Sequence, residues 1–264
     1  FGFCFLFLDS SYCLSSLLVV IKNLLSGTFV LSAIGAFAGA AGGAYAIMKI
    51  ERKKENHKLL SSINYNSAAL VGHINTLLGM KRQAFIPLAE EVKHVDGLIQ
   101  SRKKGEVTDL TVIKLMMQLF PEIDDQFMID FNKISEYCHI STRPVEFAVR
   151  AKEALASISN RINQRNEILE ELRNDPRDAN VKIPVYFDLY PESEDKDQRL
   201  RSLSIALIND TDAALWFMLK AQKELHSLGE KALPKKLRKQ LAKFEFTEER
   251  KRFLPPDNYL EWKS

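Results

Sequence analysis

The most constraining feature of the sequence is an almost uncharged stretch between Leu24 and Ile50, LLSGTFVLSAIGAFAGAAGGAYAIMKI, whose first charged residue is Lys49. A helix of about 20 apolar residues crosses the hydrocarbon core of a bilayer. The stretch is longer than the apolar core of a signal peptide, about 7 to 15 residues, although the small residues between Ala38 and Ala44 resemble a cleavage site. The sequence therefore predicts one transmembrane helix over residues 24–50.

Basic residues are divided unequally between the two flanks of this stretch. Lys22 precedes it, whereas the basic residues that follow are Lys49, Arg52, Lys53, Lys54 and Lys58. Because positive charge accumulates on the cytoplasmic side, the bias predicts a single-pass protein of the bacterial inner membrane with its C-terminal domain in the cytoplasm. Lys49, Arg52, Lys53 and Lys54 are then expected at the anionic membrane surface.

Three glycines, Gly35, Gly39 and Gly43, recur every four residues inside the stretch. On a helix they form a face almost without side chains, which lets two backbones approach closely. This pattern predicts that the transmembrane helix packs against a copy of itself and makes a homo-oligomer, or that it pairs with another membrane helix. The alternative is that the glycines only reflect the frequency of small residues in membrane helices.

Residues 1–23 form a separate N-terminal extension, and no methionine occurs before Met48. We expect the natural start near Val19 or Val20.

The three cysteines, Cys4, Cys13 and Cys138, are an odd number without CxxC spacing. They predict neither a disulfide framework nor a structural zinc site.

The rest of the chain has helical periodicity. Apolar residues from Ile63 to Ile99 recur at alternating steps of three and four, apart from Ser67 and Lys81, and Pro87 predicts a kink without loss of this phase. Further helices are expected over 110–120, from Pro121, from Pro144 to about Arg173, and over 195–229, with 181–190 as an extended strap. The predicted fold is all-α: a single N-terminal transmembrane helix followed by an antiparallel bundle of three to four long helices over residues 55–229.

Residues 230–264 are predicted to form a basic amphipathic C-terminal helix and tail. Between Lys231 and Arg252 nine residues are basic, and Leu233, Leu237 and Leu241 share one helical face. The helix either lies on the membrane surface through Lys235, Lys236, Arg238 and Lys239, or is the last bundle helix with a solvated basic face. Few aromatics interleave the charges and no nucleic-acid module is present, so no nucleic-acid partner is predicted.

No constellation of residues predicts catalysis. Glu91 with His94 and Glu136 with His139 reproduce half of a di-iron carboxylate signature. The other half needs inward carboxylates, yet residues 56–89 contain no acidic residue. Phosphate-binding, dinucleotide, zinc-protease and hydrolase motifs do not occur. The sequence thus predicts no enzyme, no cofactor and no metal.

Three landmarks resemble the LemA family of bacterial membrane proteins. A long helix carries Tyr65-Asn66, then Lys81-Arg82 and Ile86-Pro87; an aromatic-Pro-acidic-aliphatic step occurs at Phe120-Pro121-Glu122-Ile123; and a later helix carries Asn160-Arg161-Ile162. The step from Tyr65 to Pro87 is shorter than in the family. The resemblance implies a membrane-anchored helical bundle without established catalytic residues.

These features predict a membrane-anchored scaffold or adaptor. It self-associates through its transmembrane helix, and its soluble bundle binds another protein whose identity the sequence does not reveal. The alternative is a membrane-active protein whose glycine-zipper helices form a pore or permeabilise the bilayer, with the bundle as regulator.

Overall fold

The described part of the chain is helical and contains no strand. The computed structural model describes residues 18–22, 27–104, 118–121, 123, 129–130, 135–137, 139–187 and 197–259. Its longer elements are α1 (Gly27–Met80), a π-helical turn (Lys81–Phe85), α2 (Ile86–Lys103), α3 (Arg143–Asn174) and α5 (Arg199–Ala232). Three shorter helices complete the set: α4 (Ala179–Tyr186), α6 (Lys235–Arg238) and α7 (Glu248–Lys251).

The chain divides into an N-terminal unit, Phe1–His57, and a C-terminal unit, Lys58–Ser264. Helix α1 contributes its first part to one unit and its second part to the other, and no proline occurs over its 54 residues. Within the N-terminal unit, α1 contains the predicted transmembrane segment from Gly27 onward, while residues 24–26 lie outside the described part of the chain.

The π-helical turn lies directly before Pro87, where the sequence predicts a kink. Proline has no N–H to give to the carbonyl four residues earlier, and its ring would collide with that carbonyl. The chain relieves this conflict by widening one turn: the Ile86 N–H donates to the carbonyl of Lys81, five residues back. The apolar face continues through the turn, since Phe85 and Leu88 are both buried.

The core of the C-terminal unit is built mainly from α1, α3 and α5. Helix α3 packs extensively along α5, and the predicted inward residues Leu155, Ile158 and Leu207 are buried at this contact. From α1, Leu70 and Ile74 enter the same cluster with no exposed surface. A smaller cluster joins α2, α3 and α5 through residues Val95, Ile99, Ile168, Leu169, Leu172, Phe187 and Leu200.

The extended strap predicted over Val181–Tyr190 is wrong for residues 181–186, because Ala179–Tyr186 is helix α4, while residues 188–190 lie outside the described part of the chain. The Asp178 carbonyl accepts hydrogen bonds from the N–H groups of Val181 and Lys182, both at 2.9 Å, and so starts the helix. Pro184 removes one later hydrogen bond. The helix continues past it because Phe187 is buried in the smaller cluster.

Two shorter predicted helices fall mainly on residues outside the described part of the chain. For the helix predicted over 110–120, only 118–120 are described, and these are not helical. For the helix predicted from Pro121, the described residues Pro121, Ile123, Ile129 and Asp130 are likewise not helical, whereas Ser135 is helical.

The single amphipathic helix predicted between Lys231 and Arg252 does not form. Helix α5 ends at Ala232, α6 covers four residues, 242–247 are not helical, and α7 covers four more. The predicted helix start near Pro234 agrees with α6, which begins at Lys235, but that helix ends at Arg238 after four residues. The predicted apolar face is instead divided between short segments, and its leucines enter the core: Leu233, Leu237 and Leu241.

Candidate interaction surfaces

The first candidate surface is the part of α1 between Val30 and Ile50. Its large apolar side chains are exposed, with Leu31 at 69%, Phe37 at 79% and Tyr45 at 65% of their full accessible surface. None of the most apolar 18-residue window is buried, and by length and composition this helix could cross a membrane. It is the one such helix in the described part of the chain.

The three predicted glycines lie within this surface and face open space. Apart from the backbone of its own helix and its chain neighbours, a Cβ atom added to Gly35, Gly39 or Gly43 would have no atom within 4 Å. The face therefore has room for the close approach of another helix. At the end of the same segment, Lys49, Arg52, Lys53 and Lys54 are exposed.

The second candidate surface is a groove of about 650 Å³ in the C-terminal unit. One wall is α1 between Tyr65 and Met80, where Ala68, Ala69 and Gly72 are too small to fill the space. His73, which the sequence places beside the apolar seam, lies in this wall. The rest of the lining is Pro121, Ile123 and Leu155. The groove is mostly apolar, which suits a hydrophobic segment more than a charged small molecule.

Two neighbouring side chains of α3 hold the segment that supplies the second wall. Asn166 Nδ2 donates to the Phe120 carbonyl at 2.9 Å, and the Phe120 N–H donates to Asn166 Oδ1 at 3.0 Å. Arg165 Nη1 donates to the Gln118 carbonyl at 2.9 Å, and its guanidinium carbon lies 4.0 Å from the centre of the Phe120 ring. These contacts fix the backbone that leads into Pro121.

Arg165 is a buried cation that the sequence reading missed. Burial lowers the pKa of its guanidinium from its ordinary value to about 10, and the nearby Glu91 carboxylate acts in the opposite direction. The group therefore remains protonated at neutral pH. A signal was present, because position 165 continues the step of three and four that joins Ile158, Ile162 and Leu169 on the apolar face of α3.

Two asparagines of α1 also bind the backbone of distant segments. Asn66 Oδ1 accepts from the Asp130 N–H at 2.8 Å. Asn64 Nδ2 donates to the Gln240 carbonyl at 3.0 Å, and Asn64 Oδ1 accepts from the Ala242 N–H at 2.8 Å. Asn66 belongs to the Tyr65-Asn66 pair noted in the sequence. Its partner could not be inferred there, because it lies 64 residues away.

Lys81 interrupts the apolar seam of α1 and has two acceptors inside the C-terminal unit. Its ammonium group forms a salt bridge with the Asp212 carboxylate and donates to the Phe253 carbonyl at 2.7 Å. Only 15% of the Lys81 side chain and 22% of the Asp212 side chain are exposed. The polar position in the seam thus fastens the C-terminal segment and α5 to α1.

The third candidate surface is basic. Lys235, Lys236 and Arg238 on α6 and Lys239 in the turn after it are all exposed, and the structure places them together in the C-terminal unit. Lys49, Arg52, Lys53 and Lys54 belong to the N-terminal unit. Such a group of cations can bind an anionic surface.

The residues of the partial di-iron signature have other neighbours. Glu136 forms an exposed salt bridge of 3.0 Å with Lys58, and His94 and His139 are exposed. The Glu91 carboxylate raises the pKa of Arg165 and so opposes the effect of burial. Within the described residues, no group of three or more His, Cys, Asp or Glu is placed to hold a metal ion. Cys138 lies outside them.

Comparison with known proteins adds no identification. No protein-family model matches the sequence, and no solved structure matches the chain.

Proposed function

We propose that this protein is a non-enzymatic scaffold or adaptor, anchored in a bacterial inner membrane by α1, with its C-terminal unit in the cytoplasm. The observation that carries the proposal is the exposed apolar segment of α1, where Leu31, Phe37 and Tyr45 pack into no core among the described residues. Exposed apolar surface of this extent is unfavourable in water and favourable in lipid. Positive charges at Lys49, Arg52, Lys53 and Lys54 support the proposed orientation.

The proposed anchor self-associates through Gly35, Gly39 and Gly43. In lipid the apolar effect does not drive helices together, so close backbone packing and van der Waals contact must do so. The open space at all three glycines supports this role, since a second helix meets no side chain there.

The C-terminal unit is proposed to be an antiparallel bundle that binds the protein partner, in keeping with the LemA resemblance. The groove along α1 supports this role. Its small residues, Ala68, Ala69 and Gly72, leave a trough in which an apolar helix of a partner protein could lie.

Self-association is tested by replacing Gly39 with leucine in the full chain and measuring the interaction in a bacterial membrane two-hybrid assay. The matched control is Ala41→Leu, because residue 41 lies about 200° from residue 39 around the helix. We expect Gly39→Leu to abolish the signal and Ala41→Leu to retain it. Equal signals for both variants and the unaltered chain would contradict the proposed packing face.

Partner binding is tested with a photo-crosslinking amino acid at Thr76 in the groove, and at Lys152 on the exposed face of α3 as control. We expect one discrete adduct from Thr76, absent from Lys152 and lost when Gly72→Arg fills the groove. An adduct that forms equally from both positions, or that persists in Gly72→Arg, would contradict binding in the groove.

A further inference from the structure

The basic surface is dense in positive charge. Between Lys231 and Lys243 the chain carries six basic residues and no acidic one. Among the described residues, none of Lys231, Lys235, Lys236, Lys239 and Lys243 forms a salt bridge with a carboxylate. Lys231, Lys235, Lys236 and Lys239 are exposed and present their charge to the surroundings, whereas Lys243 is exposed but lines a cleft that also contains Glu230 and Glu245.

The surface is also held rigidly. Leu237 and Leu241 are buried in the core, so the backbone between them is fixed from beneath. The Arg238 Nε donates to the Leu233 carbonyl at 2.7 Å, and Asn64 binds the backbone of residues 240 and 242. Because the leucines already belong to the core, this segment has no apolar face left to insert into a bilayer, and any membrane contact must be electrostatic.

The basic surface lies beside the first turns of the C-terminal unit. Asn64 of α1 donates a hydrogen bond to its backbone. Leu241 and Ile63 also lie near each other, because a Cβ atom added to Gly229 would lie 2.6 Å from Leu241 Cδ2 and 3.2 Å from Ile63 Cδ1. The chain enters this unit at Lys58, eight residues after Ile50. A short covalent connection therefore joins the membrane segment to this unit.

We propose that Lys235, Lys236 and Lys239, with Lys231 and Lys243 at the edges, bind anionic lipid headgroups of the same membrane that holds α1. The inference rests on the anchoring part of the proposed function. The covalent link favours lipid over other polyanions, because it keeps the surface at a high effective concentration near the headgroups. The contact orients the C-terminal unit on the membrane through charge alone, and salt should weaken it, since screening acts over about 8 Å at physiological ionic strength.

The test places the full chain in lipid nanodiscs, which leave both membrane faces open, and measures lysine acetylation by mass spectrometry. We expect Lys235, Lys236 and Lys239 to react several-fold more slowly in discs containing phosphatidylglycerol than in discs of phosphatidylcholine alone. High salt should remove the difference, and the exposed Lys93, Lys104 and Lys152 should react equally in both. Equal reactivity of the basic surface in both kinds of disc would overturn the proposal.

Charge-matched variants distinguish binding at this surface from a general attraction of the protein's positive charge to anionic lipid. In K235Q/K236Q/K239Q, the protection of Lys231 and Lys243 should disappear, whereas K93Q/K104Q/K152Q should keep it. Duplex DNA added to phosphatidylcholine discs should protect none of these lysines, and protection by DNA equal to that by anionic lipid would overturn the proposal. Failure of the chain to enter discs at all would instead contradict the anchor, so the two failures are distinguishable.

Discussion

Helix α1 uses its apolar residues in opposite ways in its two parts. Before His57 they point in every direction and are exposed, as at Phe37, whereas after Lys58 they recur on one face and are buried, as at Ile74. Both parts are helical, so secondary structure alone does not separate them. The difference lies in periodicity, because a one-sided stripe is completed by a protein core and an all-round apolar surface by lipid.

Polar residues differ in the same way. In the C-terminal unit two polar side chains of the buried face have partners: Lys81 has Asp212, and Asn66 has the backbone of residue 130. In the N-terminal unit the charged residues Lys49, Arg52 and Lys53 are exposed after the apolar segment. A buried polar group must find a partner, whereas a charge at a membrane surface remains hydrated.

The largest expected effect comes from truncating a buried side chain in the second part of α1. Ile74→Ala removes a fully buried side chain from α1 and should lower the free energy of unfolding of the C-terminal unit by about 2 to 5 kcal/mol. Ile34→Ala, on the exposed part of the same helix, should leave it unchanged. Urea unfolding of the full chain in mild detergent measures both, and equal losses would remove the distinction between the two parts.

The next effect concerns the buried salt bridge. Lys81→Met leaves the Asp212 carboxylate and the Phe253 carbonyl without their donor and should cost about 1 to 3 kcal/mol of unfolding free energy. Much of that loss should return in Lys81→Met/Asp212→Leu, because both charged partners are then absent. Lys53→Met in the N-terminal unit is the control and should have no effect. A double variant that is less stable than Lys81→Met would contradict the pairing.

A smaller effect is expected at the segment that forms the groove wall. Asn166→Ala removes two hydrogen bonds to Phe120 and should cost about 1 to 2 kcal/mol. Hydrogen exchange at the Phe120 amide should accelerate, because its acceptor is lost. The exposed Asn160→Ala on the same helix should change neither quantity, and unaltered exchange at Phe120 in Asn166→Ala would contradict the clamp.

The smallest effect is electrostatic. Burial raises the pKa of the Asp197 carboxyl, but hydrogen bonds from Arg199 outweigh it and leave the net pKa below the ordinary 3.8. Because the folded pKa is the lower one, this stabilisation is present above about pH 3.8 and is lost as the pH falls through the folded pKa. Asp197→Asn should therefore cost less than about 1 kcal/mol at neutral pH and progressively less in acid. A loss that grows in acid would contradict this assignment.

The long elements could be predicted from the sequence because their signals are local. The apolar stretch before Lys49, the three-and-four spacing from Ile63 to Ile99, and the prolines at 87 and 144 mark α1, α2 and α3 directly. The C-terminal amphipathic pattern was misleading, because α6 ends at Arg238 and Leu241 is buried by tertiary packing that the linear pattern does not encode.

The surfaces were less predictable than the helices. The glycine face depends on neighbours four residues apart and is visible in the sequence. The groove forms where Pro121 lies opposite α1. Asn166 holds the backbone next to Pro121 through a hydrogen bond to the Phe120 carbonyl, 46 residues away in the sequence. Position 165 carried a usable signal, because it is an arginine within an apolar seam. Its contact with the Phe120 ring, however, is visible only in the folded structure.

The most direct test of the anchored, cytoplasmic arrangement is a C-terminal topology measurement. Green fluorescent protein and alkaline phosphatase are fused separately after Ser264 and expressed in a bacterial host. We predict fluorescence in the membrane fraction without phosphatase activity. Phosphatase activity without fluorescence would contradict it, because the C-terminal unit and its basic surface would then lie on the opposite side of the membrane.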